Sequence, residues 1–184
     1  VRARSAASRL KAFSDAVGRE HASGKYDLVF SLDRTACQDA WRAGEGVHRV
    51  WLNRRRLFEP RWRTAWSERT ARQRAMLALE RRAVQDSRLI IANSRMVSND
   101  LARVYPGSEP RVTVVPNGVD EERFSLRDRT GRRETARREL GMEESRGLLL
   151  FAGSGFHRKG LSELLKALKL VADCDLVVLG RDRT

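Results

Sequence analysis

Cysteine is almost absent from this 184-residue chain: only Cys37 and Cys174 occur, far apart and without metal-ligand spacing. That excludes a disulfide scaffold and a zinc finger, and it suits a reducing cytoplasm. Long apolar runs are missing as well, none approaching the roughly 20 residues that a membrane-spanning helix needs. The opening VRARSAASRLKAF lacks the apolar segment of a signal peptide. The expected location is therefore cytoplasmic. Starting on Val and stopping at GRDRT without a closing element, the sequence reads as a piece of a longer protein.

What is present in excess is positive charge. Lys and Arg number 37 against 24 Asp and Glu, a net charge of +13, while a hydrophobic fraction of 41% permits a real core. Such a balance favours anionic partners: nucleic acid, phosphorylated small molecules or an anionic membrane surface. Arg far outnumbers Lys, which a coding bias would also produce, so charge alone assigns no function. Its distribution says more. Residues 1–107 carry 22 cations and 11 acids, and 108–184 carry 15 and 13. Within 49–88 there are 12 cations and 4 acids, interleaved with Trp51, Phe58, Trp62 and Trp66.

Helical and apolar segments alternate along the chain. Ala-rich residues 1–23, with Leu10, Phe13 and Val17 three and four apart, predict a helix. YDLVFSL (26–32) predicts a buried strand, 36–43 a short helix, and GEGVHRVWLNRRR an irregular loop closed by Pro60. Periodicity through Trp66, Met76, Leu79 and Val84 predicts one long helix over 63–86. RLIIANS (88–94) reads as a strand, Ser94 as the N-cap of helix RMVSNDLARVY, and RVTVVPNGVD (111–120) as a short strand running into a turn. After a charged stretch with one helix near 132–140 come strand GLLLFAG, a helix over 158–172 and strand DLVVLG (175–180). Continuously apolar strands separated by helices predict an α/β fold with parallel sheets covered on both faces.

The stretch FAGSGFHRKGLSELLKAL (151–168) carries the clearest chemistry. A strand stops at small residues, and two cations precede a helical pattern. Ligands of open parallel sheets sit beyond the carboxyl ends of the strands, where helix-initial N–H groups favour anions. Gly153 lets the backbone approach a ligand, Lys159 adds a point charge and Arg158 can grip two oxygens. The alternative is a solvated helix start. The G-x-x-x-x-G-K-[ST] pattern of a P-loop is absent.

Five elements in order, IIANSRMVSNDLARVYP, VTVVPNGVDEERF, an Arg-rich spacer, LLLFAGSGFHRKGLSELLKAL and DLVVLG, make the chain similar to the retaining glycosyltransferases of family 4. Those resembling lipopolysaccharide-core glucosyltransferases are nearest. The likeness covers most of 88–180 and, through YDLVFSLDRTACQDAWRAGEGVHRVWL, extends back to about residue 26. It implies a GT-B fold of two Rossmann-like domains, both incomplete here: 1–120 from the acceptor-side domain, 121–146 a linker, and 147–184 the start of the donor-binding domain. The first strand and glycine-rich loop would precede residue 1, and paired glutamates that hold the sugar and ribose would follow residue 184. The implied reaction moves a sugar, glucose in the nearest cases, from a nucleoside diphosphate to a lipid-linked or cell-envelope glycan, without a metal or other cofactor.

The resemblance places Gly153, Arg158 and Lys159 on the donor diphosphate, and Asn117 and Gly118 at the interdomain cleft. In the acceptor-side domain His48, in the loop AGEGVHR, is a candidate for the acceptor phosphate or hydroxyl; its alternative is an ordinary polar loop histidine. Asp33 is the companion catalytic candidate and Arg34 an acceptor-side one, both at the end of strand 26–32. His157 is a weaker donor-side candidate. Asp173-x-Asp175 has the form of a divalent-metal motif, but Asp is also common in such turns. The Arg/Trp-rich segment 49–66 has three readings: a solvated face with core tryptophans, a peripheral dock on anionic membrane, or a nucleic-acid surface. Against the transferase stands a basic nucleic-acid-binding or non-catalytic interaction module, which would depend on 49–88 rather than on Arg158 and Lys159. The resemblance makes nucleic acid the less favoured partner.

Overall fold

A computed structural model describes residues 5–125 and 129–182. The chain folds as two compact units, residues 1–118 and 119–184. The first opens with helix α1 (Ala6–Ala22), started by a capping box in which the Ser5 hydroxyl accepts from Ser8 N–H at 3.1 Å. Four parallel strands follow, β1 (Phe30–Ser31), β2 (Ala40–Ala43), β3 (Leu89–Ala92) and β4 (Val112–Val114), in sheet order β1-β2-β3-β4. Trp41 pairs with Ile90 and Ile90 with Val112. Around them stand α2 (His48–Arg55), α3 (Arg61–Glu68), α4 (Ala71–Asp86) and α5 (Arg95–Val104). The core joins Trp41 and Ile90 of the sheet to Val84 of α4 and Leu101 of α5, each at most 2% exposed. As predicted, Ser94 caps α5, its hydroxyl accepting from Val97 N–H at 3.3 Å.

Four expectations in this unit fail for identifiable reasons. YDLVFSL yields only the two paired residues of β1, at the sheet edge, with Tyr26, Leu28, Phe30 and Leu32 exposed rather than buried. The helix expected over 36–43 is instead β2, because residues 40–43 pair with β3 and residues 40 and 41 also pair with β1. The Asp39 carboxylate reinforces that choice by accepting from Val29 N–H at 2.9 Å, the bond that chiefly holds its pKa below the ordinary value. The loop expected after Gly44 contains α2, and the long helix over 63–86 is two helices. The second, α4, restarts at Thr70, whose hydroxyl accepts from Gln73 N–H at 3.4 Å.

The second unit contains α6 (Arg129–Glu139), β5 (Gly147–Ala152), α7 (Phe156–Lys159), α8 (Leu161–Leu168) and β6 (Cys174–Leu179). β5 and β6 pair in parallel along their whole length. Arg137 of α6 is the one buried residue among those described here, donating to the carbonyls of Glu143 and Arg146 at 2.6 and 3.0 Å. The single helix expected over 158–172 is broken at Gly160, whose φ of +80° ends α7 and begins α8. All strand pairs described are parallel and flanked by helices, so the α/β reading holds.

Candidate functional site

In the second unit a glycine follows each strand, Gly153 after β5 and Gly180 after β6, and the two touch. Gly153 N–H donates to Leu179 carbonyl at 2.9 Å. A Cβ on Gly180 would lie 2.0 Å from the Gly153 carbonyl oxygen, so no other residue fits that backbone crossing. From this junction the chain enters the single turn of α7, and the Phe156 N–H donates to the Asp182 carboxylate at 2.9 Å. The Lys159 stem packs beside Gly153, 3.7 Å from where a side chain there would begin, and Arg158 passes 3.8 Å from the same point on Gly155. Arg158 and Lys159 are exposed, and neither has a side-chain hydrogen bond or ion pair among the described residues.

The cations do not stand at a helix start, as the sequence suggests. They occupy the last turn of α7, where the helix dipole tolerates positive charge. The argument that they demand an anion to offset the dipole therefore lapses. What replaces it is their lack of partners beside a glycine-only backbone junction. Asp173 and Asp175, by contrast, are committed to Arg146, which grips the Asp175 carboxylate through two bonds of 2.9 Å and reaches Asp173 at 3.4 Å. That bond chiefly lowers the pKa of Asp175. No group of three or more acidic, His or Cys side chains suited to a metal occurs among the described residues.

Two candidates of the first unit, Arg34 and His48, bind Glu80, a residue that sequence reasoning passed over. Its carboxylate is fully buried on α4 and accepts from Arg34 Nε at 3.1 Å, Tyr105 hydroxyl at 2.8 Å and the backbone N–H groups of His48 and Arg49. It thereby caps α2, whose N-cap Val47 has no side-chain acceptor. The signal was present in principle: Glu80 falls on the apolar stripe of α4, between Leu79 and Ala83, where a charge needs partners. Burial, with the Glu80 charge and hydrogen bond adding to it, raises the Tyr105 phenol above its usual pKa.

Arg34 spends its guanidinium inside the protein, also donating to Glu45 at 2.6 Å and to the Gly46 carbonyl at 2.8 Å. It braces the glycine loop from beneath. The His48 ring lies against Trp51, centroids 5.3 Å apart, with Nε2 on the Gln73 side-chain oxygen at 2.6 Å. Since that oxygen only accepts, Nε2 carries the hydrogen and Nδ1 is left as an acceptor. Burial holds the imidazole below its usual pKa, with the Gln73 bond pulling the other way. Asp33 is exposed and, with Arg34 and Glu45, lines a cavity of ≈ 570 Å³ that Arg9 and Arg72 border from α1 and α4. The structure thus gathers Asp33 and Arg34 at one cavity, while His48 is tied to the same loop through Glu80. Asn117 accepts from Arg42 of β2, a partner 75 positions away with no local sequence signal, and Gly118 is the last residue of the first unit.

Residues 3–123 match the sequence profile of Glycosyltransferase Family 4. The chain belongs to that family. It is 34% identical over 181 residues to a D-inositol 3-phosphate glycosyltransferase of Geodermatophilus obscurus, covering 90% of this chain and 37% of that protein. It is 33% identical over 102 residues to an alpha-maltose-1-phosphate synthase of Mycolicibacterium smegmatis, covering 54% of this chain and 26% of the relative. The chain therefore spans well under half the length of these relatives. Its fold superposes on the crystal structure of WaaG, a glycosyltransferase involved in lipopolysaccharide biosynthesis, with a TM-score of 0.78 and 22% identity, covering all of this chain and 50% of that one. The GT-B architecture expected from the sequence is the fold this family 4 chain has.

Proposed function

We propose that this family 4 chain is part of a retaining glycosyltransferase that moves a hexose, glucose in the simplest case, from a nucleoside diphosphate to a lipid-linked or cell-envelope glycan. The observation that carries this reading is the pair Arg158 and Lys159, without partners among the described residues, beside the Gly153–Gly180 junction. Two exposed cations there can bind the diphosphate of the donor. As the sugar–phosphate bond breaks, negative charge grows on the leaving diphosphate, and fixed cations stabilise it more than the ground state. The sugar passes through an oxocarbenium-like state. No step requires a metal, and the reaction would take place in the cytoplasm.

On the acceptor side, His48 Nδ1 and the Asp33 carboxylate are the groups able to accept a hydrogen bond from an acceptor hydroxyl, with the Arg34-braced loop positioning them. A second acceptor class has its own support: relatives 33–34% identical are named for inositol phosphate and maltose 1-phosphate chemistry. Arg9 and Arg72, on the rim of the Asp33 cavity, would suit a small phosphorylated acceptor.

The test is a titration of the chain with UDP-glucose, UDP and a short DNA duplex across a salt series, repeated with Lys159→Ala. Loss of one charge-assisted contact should weaken nucleotide binding about 10- to 100-fold. Affinity unchanged by Lys159→Ala would remove the donor assignment, and DNA binding that ignores Lys159 would favour a basic module. Because the chain spans about a third of its relatives' length, the 184 residues alone should bind donor without turning it over. Sugar transfer by this chain would disprove that second part.

A further inference from the structure

The aromatic residues of 49–66 are not core. Leu57, Phe58, Trp62 and Trp66 are 77%, 86%, 74% and 74% exposed. On α3 the usual arrangement is reversed: Thr64 is the buried residue, its hydroxyl turned back onto the Arg61 carbonyl at 2.9 Å, while Trp62 and Trp66, four apart, share the outward face. Leu57 and Phe58 extend the same exposed apolar surface just before the helix. Six arginines (54, 55, 56, 61, 63 and 69) accompany them against two acids, Glu59 and Glu68. Both acids are already engaged, by Arg55 at 3.0 Å and by Arg56 at 2.8 Å. Arg61, Arg63 and Arg69 are exposed and make no side-chain bond to another described residue.

We propose that this face, formed by the end of α2 and by α3, docks on the surface of an anionic phospholipid bilayer. Tryptophan favours the headgroup boundary, with its ring in the apolar layer and its N–H in the wet one. Leu57 and Phe58 insert into the acyl boundary, and the unpaired arginines bind lipid phosphates. The choice of lipid over nucleic acid rests on Leu57, whose aliphatic side chain gains nothing from stacking on bases but gains from insertion. Docking is peripheral, since no helix among the described residues is long and apolar enough to cross a membrane. This inference is independent of the transferase reading.

The experiment is co-sedimentation of the 184-residue chain with phosphatidylglycerol/phosphatidylcholine vesicles and with pure phosphatidylcholine vesicles, in parallel with a DNA-duplex titration and sedimentation velocity. Two double variants accompany it, Trp62→Ser with Trp66→Ser, and Arg61→Glu with Arg63→Glu. All four residues are exposed, so the fold should survive, and circular dichroism checks that it does. The expected result is binding to the anionic vesicles, at least tenfold weaker in either variant, weakened by salt, and accompanied by a blue shift of tryptophan emission. Absence of binding to anionic vesicles overturns the proposal, as does binding that neither variant changes. A surface that instead mediates DNA binding or self-association, lost in the variants without any vesicle binding, overturns it too.

Discussion

Two charge clusters, one in each unit, behave in opposite ways. Around Glu80 in the first, a buried carboxylate, a nearly buried arginine, a phenol and two helix-initial N–H groups satisfy one another. At the Gly153–Gly180 junction in the second, two exposed cations have no partners among the described residues. The first unit also has a packed apolar core, while among the described residues of the second only Arg137 is buried. A self-satisfied polar cluster has little binding capacity left, so its value lies in fixing a loop. An unsatisfied one keeps its interactions for a ligand. The contrast therefore separates residues that fix a loop from exposed cations that, among the described residues, remain free to meet an anion.

The largest effect should come from breaking the satisfied cluster. Glu80→Ala leaves Arg34, 8% exposed at its side chain, without its buried counter-charge and removes the acceptor that caps α2. Removing one partner of a buried pair costs about 3–5 kcal/mol. Urea unfolding of the variant should show a loss of that order, with Glu80→Gln losing less because it still accepts hydrogen bonds. A loss below about 1 kcal/mol would mean that the cluster is not what holds the loop, and the contrast between the units would weaken.

That cluster also marks where sequence reasoning stops. Parallel α/β architecture, Ser94 as a cap and the strands around Ile90 and Leu149 were legible, because apolar runs and local caps act over a few residues. The start of α2 was not, since its cap comes from a residue 32 positions later. β2 was read as helix for a similar reason: AWRA has no local strand signal, and its conformation is set by two neighbouring strands. On the candidate site, the glycine and cation pattern at 153–159 located the exposed cations. The dipole argument for them failed because Gly160 cuts the expected helix short. Arg34 was legible as a candidate at the end of strand 26–32 but not as a brace, because its partners Glu45, Gly46 and Glu80 meet only in the fold.

A smaller effect should appear with pH. The His48 imidazole is held below its ordinary pKa of 6.5 in the folded chain, chiefly by burial. Above pH 6.5 both folded and unfolded chains keep it neutral, and stability is unaffected. Below 6.5 the unfolded chain takes up a proton that the folded chain resists, so stability falls as the pH drops. The carboxylates with lowered pKa, Asp39, Glu68, Glu163 and Asp175, have ordinary values of 3.8, 4.5, 4.5 and 3.8 and so act at lower pH. Thermal unfolding between pH 7.5 and 5 should show the decline, and His48→Gln should flatten it. An equal decline in the variant would place the titrating group elsewhere.

The smallest effect should belong to the unpartnered cations. Lys159→Ala removes no hydrogen bond or ion pair among the described residues, so stability should change by no more than about 0.5 kcal/mol. The lost packing of its stem against Gly153 and the relief of charge repulsion with Arg158 act in opposite directions. Unfolding with and without UDP then separates structure from function. If Lys159 holds a diphosphate, UDP should raise the melting temperature of the unsubstituted chain and raise it less in the variant, because a ligand stabilises in proportion to its affinity for the folded state. A variant destabilised by more than about 1 kcal/mol without ligand would show that Lys159 works inside the fold after all, and the second unit would then resemble the first.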